Sequence, residues 1–242
     1  MHIRMLASVM FGSAMLLSGS AHGEWADDAM HAAERGNITE AVQLLQPHAE
    51  AGDPIAERII GAIKLAVGQY QAALVWLNRA AKQDDPPAQG ALGVIYDNGL
   101  GVARDHIEAA RWYLKSAQKG FMDAQYNIAY DYDHGEGVER DDRAAAYWYE
   151  MAAHQGNPSA MYFLGKMNAE GRGVPRDLVR AHMLFNLSAY YQDDPKYRDQ
   201  ALRLRDAIEQ RLSPEQIEES HKLGREWQIA RQPEQTITLK QR

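Results

Sequence analysis

From Ala88 onward, apolar positions recur at helical spacing, and the whole arrangement returns every 36 residues. Ala88, Leu92, Gly93 and Tyr96 fall at i, i+4, i+5 and i+8, so they share one face of a predicted helix. Ala109, Trp112, Tyr113, Ser116 and Ala117 form a second stripe, at i, i+3, i+4, i+7 and i+8. Both stripes are written three times: Ala88, Ala124 and Ala160 share a column, as do Leu92, Ile128 and Leu164, and Ala109, Ala145 and Ala181. Repetition at this period predicts stacked helix hairpins, each covering the apolar face of its neighbour.

The punctuation between the stripes repeats as well. Gly99, Gly135 and Gly171, then Gly101, Gly137 and Gly173, stop the first helix of each unit, where a left-handed backbone favours glycine. Val102, Val138 and Val174 follow as apolar anchors of the turn. Asp105, Asp141 and Asp177 then stand where an N-cap belongs, and Glu108 adds capping-box spacing to the first copy. Gly120 and Gly156 end the second helix.

Upstream the pattern continues in weaker form. Ala73, Trp76 and Ala81 precede Ala109, Trp112 and Ala117 by 36, while Ala56, Ile60 and Gly61 precede Ala88, Leu92 and Gly93 by only 32. Ala41 and Leu44 precede Ala73 and Trp76 by 32 again. Two degenerate pairs are therefore expected over 24–86 and three regular ones over 87–192. Beyond Tyr191, Lys196 to Leu212 reads as a charged amphipathic helix, and Ser213-Pro214-Glu215-Gln216 opens another running to about Arg231. These helices, over 193–231, are expected to cap the stack, and the polar tail at 232–242 to be disordered.

The stretches AQGALGVIYDNGLGVARDHIEAARWYLKSAQKG and AQYNIAYDYDHGEGVERDDRAAAYWYEMAAHQG resemble the Sel-one-like repeat (SLR), a relative of the tetratricopeptide repeat (TPR). The third copy departs from it: Asn168 replaces the tyrosine, Leu184 the tryptophan and Gln192 the closing glycine. SPEQIEESHKLGREW resembles the closing helix of many bacterial members. The resemblance implies an all-α fold, a right-handed α-solenoid of stacked helix-turn-helix repeats with a C-terminal helical cap. It also implies non-catalytic work, holding a protein or peptide in a concave groove as a scaffold or regulator of envelope processes. The rival reading is a cell-wall or β-lactam hydrolase, because some cysteine-rich members have been assigned such activity. A third is self-association through the solenoid ends; the sequence leaves the oligomeric state open.

Composition narrows these readings. His2 and Arg4, an apolar run and small residues up to Ala21 and Gly23 read as a cleavable signal peptide over 1–23, which implies a periplasmic or secreted protein without stable membrane insertion after cleavage. Net charge is −7, and no Lys/Arg cluster stands out, which argues against nucleic acid. The chain has no cysteine, so disulfides, a thiol nucleophile and thiolate metal sites are excluded.

The most metal-like segment is Asp131, Asp133, His134 and Glu136 with Asp141 and Asp142, but a calcium loop needs glycine where Glu136 stands. No metal and no cofactor are therefore expected. His106, His154 and His182 share no common partner and are read as surface residues, and Glu150 and Asp142 have no evident shared cleft. Tyr96, Tyr132, Trp112, Trp148, Tyr113 and Tyr149 occupy repeating columns and are expected in the core. Tyr126, Tyr130 and Tyr162 differ: they lie off the apolar stripe, in columns where preceding units carry Gly90 and Val94. In TPR-like folds that face lines the groove. With Asp133 and His134 further along the helix, and Lys166 and Glu170 in the next unit, they make a candidate partner-binding surface of aromatic anchors in a mixed-charge margin. Inter-repeat packing is the competing explanation for these tyrosines.

Overall fold

A computed structural model describes residues 23–230, and among them every regular element is an α-helix. The helices are α1 (Gly23–Glu34), α2 (Ile38–Glu50), α3 (Pro54–Ala66), α4 (Tyr70–Lys82), α5 (Pro86–Asn98), α6 (His106–Gln118), α7 (Met122–His134), α8 (Asp142–Gln155), α9 (Pro158–Glu170), α10 (Leu178–Tyr191), α11 (Pro195–Glu209) and α12 (Pro214–Ala230). The signal peptide predicted over 1–23, all but Gly23, and the tail predicted over 232–242 lie outside the described residues. No described helix is long and apolar enough to cross a membrane.

The punctuation works as its chemistry dictates. Gly99, Gly135 and Gly171 take φ of +66°, +74° and +75°. Asp105, Asp141 and Asp177 accept hydrogen bonds from the first-turn amides of α6, α8 and α10. Their own amides donate back to the carbonyls of Tyr96, Tyr132 and Asn168 at 2.9, 3.0 and 2.9 Å, closing each loop the same way. Glu108 completes only half of a capping box: its amide donates to Asp105, but its carboxylate pairs with Arg111.

The chain divides into two compact units at Ala124/Gln125, near the start of α7. Each is built of stacked helix hairpins, the packing of an α-solenoid. In the first, Leu45, Ile60 and Ile63 pack with Trp25 and Trp76 around the N-terminal hairpins, and Leu77, Leu92 and Ile95 pack with Trp112 around the later ones. Small residues set the spacing: a Cβ on Gly93 would meet the Tyr113 ring at 2.5 Å. Here Glu57, almost fully buried, is held by Arg79 at 2.7 Å and by Gln83 at 2.9 Å.

In the second unit α7–α8 and α9–α10 are the regular hairpins, and α11 and α12 both pack on α10. Phe185, Ala181 and Ile208 form a small core there, joined by Tyr162, Leu204 and Leu212.

Two expectations need correction. Of the six repeating aromatics, only Tyr113 and Tyr149 are fully buried; Tyr96, Tyr132, Trp112 and Trp148 are half-buried. Each tryptophan stands one residue before the buried tyrosine, about 100° around the helix, and so lies over the rim of the interface rather than inside it. The Lys115 ammonium accordingly sits 4.4 Å from the centre of the Trp112 ring. The second correction is His182, read as a surface residue but with 0% exposure. It occupies the column of Ala110 and Ala146, both buried, and the terminal helices cover it.

Candidate partner-binding site

On α7, Tyr126, Tyr130, Asp133 and His134 fall at i, i+4, i+7 and i+8, so one face carries all four. On α9, Tyr162, Lys166 and Glu170 follow the same logic. The residue that joins the two sets is Phe163. Its ring centre lies 6.2 Å from Tyr126, 6.1 Å from Tyr130, 6.5 Å from His134 and 5.4 Å from Tyr162, and the Lys166 ammonium is 5.9 Å away. The contacts with Tyr130, His134 and Tyr162 are edge-on, the favoured geometry for aromatic quadrupoles. His134 also stacks on Tyr130 at 3.9 Å, its Nδ1 3.0 Å from the Tyr130 carbonyl.

Asp133 and Glu170 are brought together by a different residue, Arg172, in the turn after α9. The guanidinium donates to buried Asp133 at 2.6 Å, to Glu170 at 2.8 Å and to Asp142 at 3.2 Å. The hydrogen bond to Asp133 chiefly raises its pKa above the usual arginine value. A surface recess of about 860 Å³, lined by Tyr132, Arg140, Asp142, Arg143 and Gly173, adjoins this ion-pair end through Asp142. Phe163 thus touches five of the predicted residues, and Arg172 the other two.

Beneath the rings lies Tyr149 of α8, stacked on Phe163 at 5.4 Å with planes 8° apart. Its hydroxyl is buried and has no hydrogen-bond partner. Burial, and then the nearby Asp133 carboxylate, push its pKa far up. Burial pushes the Tyr126 phenol up to about 12. Both phenols stay protonated near neutral pH and remain hydrogen-bond donors. Tyr126, Tyr130, Tyr162, Phe163 and Lys166 are half-buried and His134 is exposed, so the cluster reaches solvent. Tyr162 is the least independent of them, because it also packs edge-on against Phe185 of the core at 5.8 Å.

Phe163 and Arg172 escaped the reading of the sequence, although both carried the signal that marked the tyrosines. Phe163 shares its column with Ala91 and Asn127, and Arg172 with Leu100 and Glu136. Tyr149 was read as core, which it is, but its unpaired hydroxyl has no signature in sequence.

The remaining candidates resolve into structural pairs. Asp141 caps α8, Asp142 pairs with Arg140 and Arg172, and Glu150 holds Arg180 and His154. His106 lies 2.8 Å from Asp97. A serine–histidine–carboxylate arrangement does occur: His182 lies 2.7 Å from Ser220 Oγ and 3.5 Å from Glu209. Ser220 and His182 are both sealed in by packing, 1% and 0% exposed, so this hydroxyl has no access to a substrate.

The Sel1 repeat family model matches residues 65–85, 86–121, 123–157 and 158–190, together just over half of the chain. Among solved structures, the chain is similar to a Sel1 repeat protein from Oxalobacter formigenes, with 32% identity over 55% of this chain and 55% of that one and a TM-score of 0.53. It is also similar to c5321, a protective antigen of uropathogenic Escherichia coli with an SLR fold, with 26% identity over 87% of this chain and 46% of that one and a TM-score of 0.71. The chain spans about half the length of these solved structures. No curated protein matches it.

Proposed function

The chain belongs to the Sel1 repeat family, and from that premise we propose that it is a non-catalytic interaction scaffold holding a protein or peptide on the aromatic face of α7 and α9. One observation carries this reading. Half-buried Tyr126, Tyr130 and Phe163 form a connected aromatic surface over a buried hydroxyl that lacks a partner. Tyrosines offer contact area and a hydroxyl at low entropic cost, and a few such anchors usually dominate binding energy. The Asp133–Arg172–Glu170 ion pairs and Lys166 supply the polar rim.

We further propose, from the first 23 residues, that the protein is exported and meets its partner in the periplasm or outside the cell. Among the described residues, the serine–histidine–carboxylate arrangement of Ser220, His182 and Glu209 is sealed and does not favour the hydrolase alternative.

The test compares wild type with the double variant Tyr126→Ala/Tyr130→Ala as affinity bait in the periplasmic fraction. The variant is expected to stay folded, with its helical circular dichroism intact and a somewhat earlier unfolding transition from the lost packing of Tyr126, and to lose most capture of the partner. The intact mass of the bait should place the mature start near His22 or Glu24. A variant that unfolds assigns the tyrosines to packing. One that folds and captures as before moves the binding site elsewhere.

A further inference from the structure

The second unit contains a buried titratable group that the scaffold reading does not use. His182 is in α10, where the two preceding units hold buried alanines. Its column has gained an imidazole only in the unit covered by the terminal helices. Nδ1 lies 2.7 Å from Ser220 Oγ of α12, and Nε2 lies 3.5 Å from Glu209 of α11. The ring of His221, also on α12, is tilted against it at 5.7 Å. The charged groups acting on His182 are Glu209 and Arg205 from α11 and His221 from α12. On the side of α9, the packing against α10 is apolar, with Tyr162 and Gly165 against Phe185.

The Glu209 carboxylate, which can only accept, places the proton of the neutral ring on Nε2. Nδ1 then accepts from the Ser220 hydroxyl. Adding a proton to Nδ1 buries an imidazolium with Arg205 and a second histidine nearby. Only one carboxylate compensates it, 46% exposed and at the long end of hydrogen-bond distance. A charge left so poorly paired in an apolar interface is costly. The cheapest relief is for the covering helix to leave. α12 is the last described helix; Ser220 and Gly224 face α10 along it, and a Cβ on Gly224 would lie 3.7 Å from Met183. Its far end rests on the stack of Trp227 against His154, an exposed residue of α8 that pairs with Glu150.

We propose that α12 is an acid-released latch: protonation of His182 lifts it from α10 and uncovers the apolar surface around Met183. Burial lowers the pKa of His182, and Glu209 opposes that shift only in part. The docked state therefore binds this proton less readily than the undocked one. Docking is fully kept above the pKa of a free histidine, about 6.5, and weakens by up to about tenfold per pH unit below it, until the docked ring itself protonates.

Hydrogen–deuterium exchange of the whole protein, at about pH 7.5 and about pH 5.5 with correction for intrinsic rates, reads this directly. Protection of residues 214–230 should fall, by up to about tenfold, at the lower pH, while that of α7 and α9 stays unchanged. His182→Gln keeps a neutral hydrogen-bonding side chain and should flatten the difference. His221→Ala and His154→Ala should leave it in place. Equal protection of α12 at both pH values overturns the proposal, as does a His182→Gln protein that keeps the full dependence. If that variant fails to dock, an NMR titration of the wild-type ring decides. A His182 ring that protonates near the free-histidine pKa while α12 stays protected also overturns the proposal.

Discussion

Replacing Tyr149 by phenylalanine tests the site from below. The substitution keeps the ring stacked on Phe163, 5.4 Å away with planes 8° apart, and removes only an oxygen that is buried without a partner. A buried hydroxyl deprived of hydrogen bonds costs about 1–3 kcal/mol. Deleting it should therefore stabilise the free protein by about 1 kcal/mol, which for a domain of this size raises Tm by about 2–4 °C. Urea unfolding followed by far-UV circular dichroism gives the same quantity, as a higher midpoint with an unchanged slope. Partner capture should be unchanged, because this hydroxyl is sealed by packing as completely as that of Ser220. A loss of stability of about 1 kcal/mol or more would refute the reasoning, because the hydroxyl would then already be paired in the free protein.

Two further substitutions separate effects that the repeat confounds. Gly135→Ala meets nothing closer than 3.5 Å and should cost only the left-handed strain of a non-glycine residue, about 1–2 kcal/mol. Gly173→Ala would drive its methyl into the Asp142 carbonyl and should cost clearly more in the same unfolding assay; equal costs would show that φ alone selects both glycines. Arg172→Ala strands the buried Asp133 and should destabilise by about 2 kcal/mol, below the full cost of a buried pair because the arginine is partly exposed. Glu170→Ala, on the exposed arm of the same network, should cost less than about 0.5 kcal/mol, and a ranking reversed in chemical denaturation would dissolve the distinction.

Most of the fold could be read from the sequence because a repeat states its own rules several times over. Gly99, Asp105 and Ala109 need not be interpreted singly when Gly135, Asp141 and Ala145 repeat them 36 residues on. What periodicity does not encode is the end of the period. His182 looked like a surface histidine because its partners, Glu209, Ser220 and His221, come from helices that follow no repeat. The tryptophans misled for another reason. A conserved place in the period establishes a shared environment, but a residue at the rim shares its environment as faithfully as one at the centre. Arg172 broke its column, but its role did not show, because it depends on a loop reaching back to Asp133 on α7, two helices before α9.

The repeat also separates tyrosines that packing requires from those it does not. In the first unit, the space that a side chain on Gly90 would enter is already filled, with the Phe121 ring at 3.1 Å and Ser116 Oγ at 3.3 Å. One period later all three positions change together: Tyr126 replaces the glycine, Asn157 the phenylalanine and Ala152 the serine. Volume has moved from the loop to the helix, which accounts for much of Tyr126 without any partner. Tyr162 is likewise held by Phe185 and its neighbours. Tyr130 has no such compensation. Its column holds Val94 and Lys166, and all three side chains are only half-buried, so the interior does not dictate what stands there. At a position where valine and lysine both serve, Tyr130 presents an aromatic ring edge-on to Phe163 and stacked on His134. If one residue carries the affinity, the repeat itself nominates Tyr130. Tyr130→Ala alone should then weaken the partner more than Tyr126→Ala alone, and disturb the unfolding transition less.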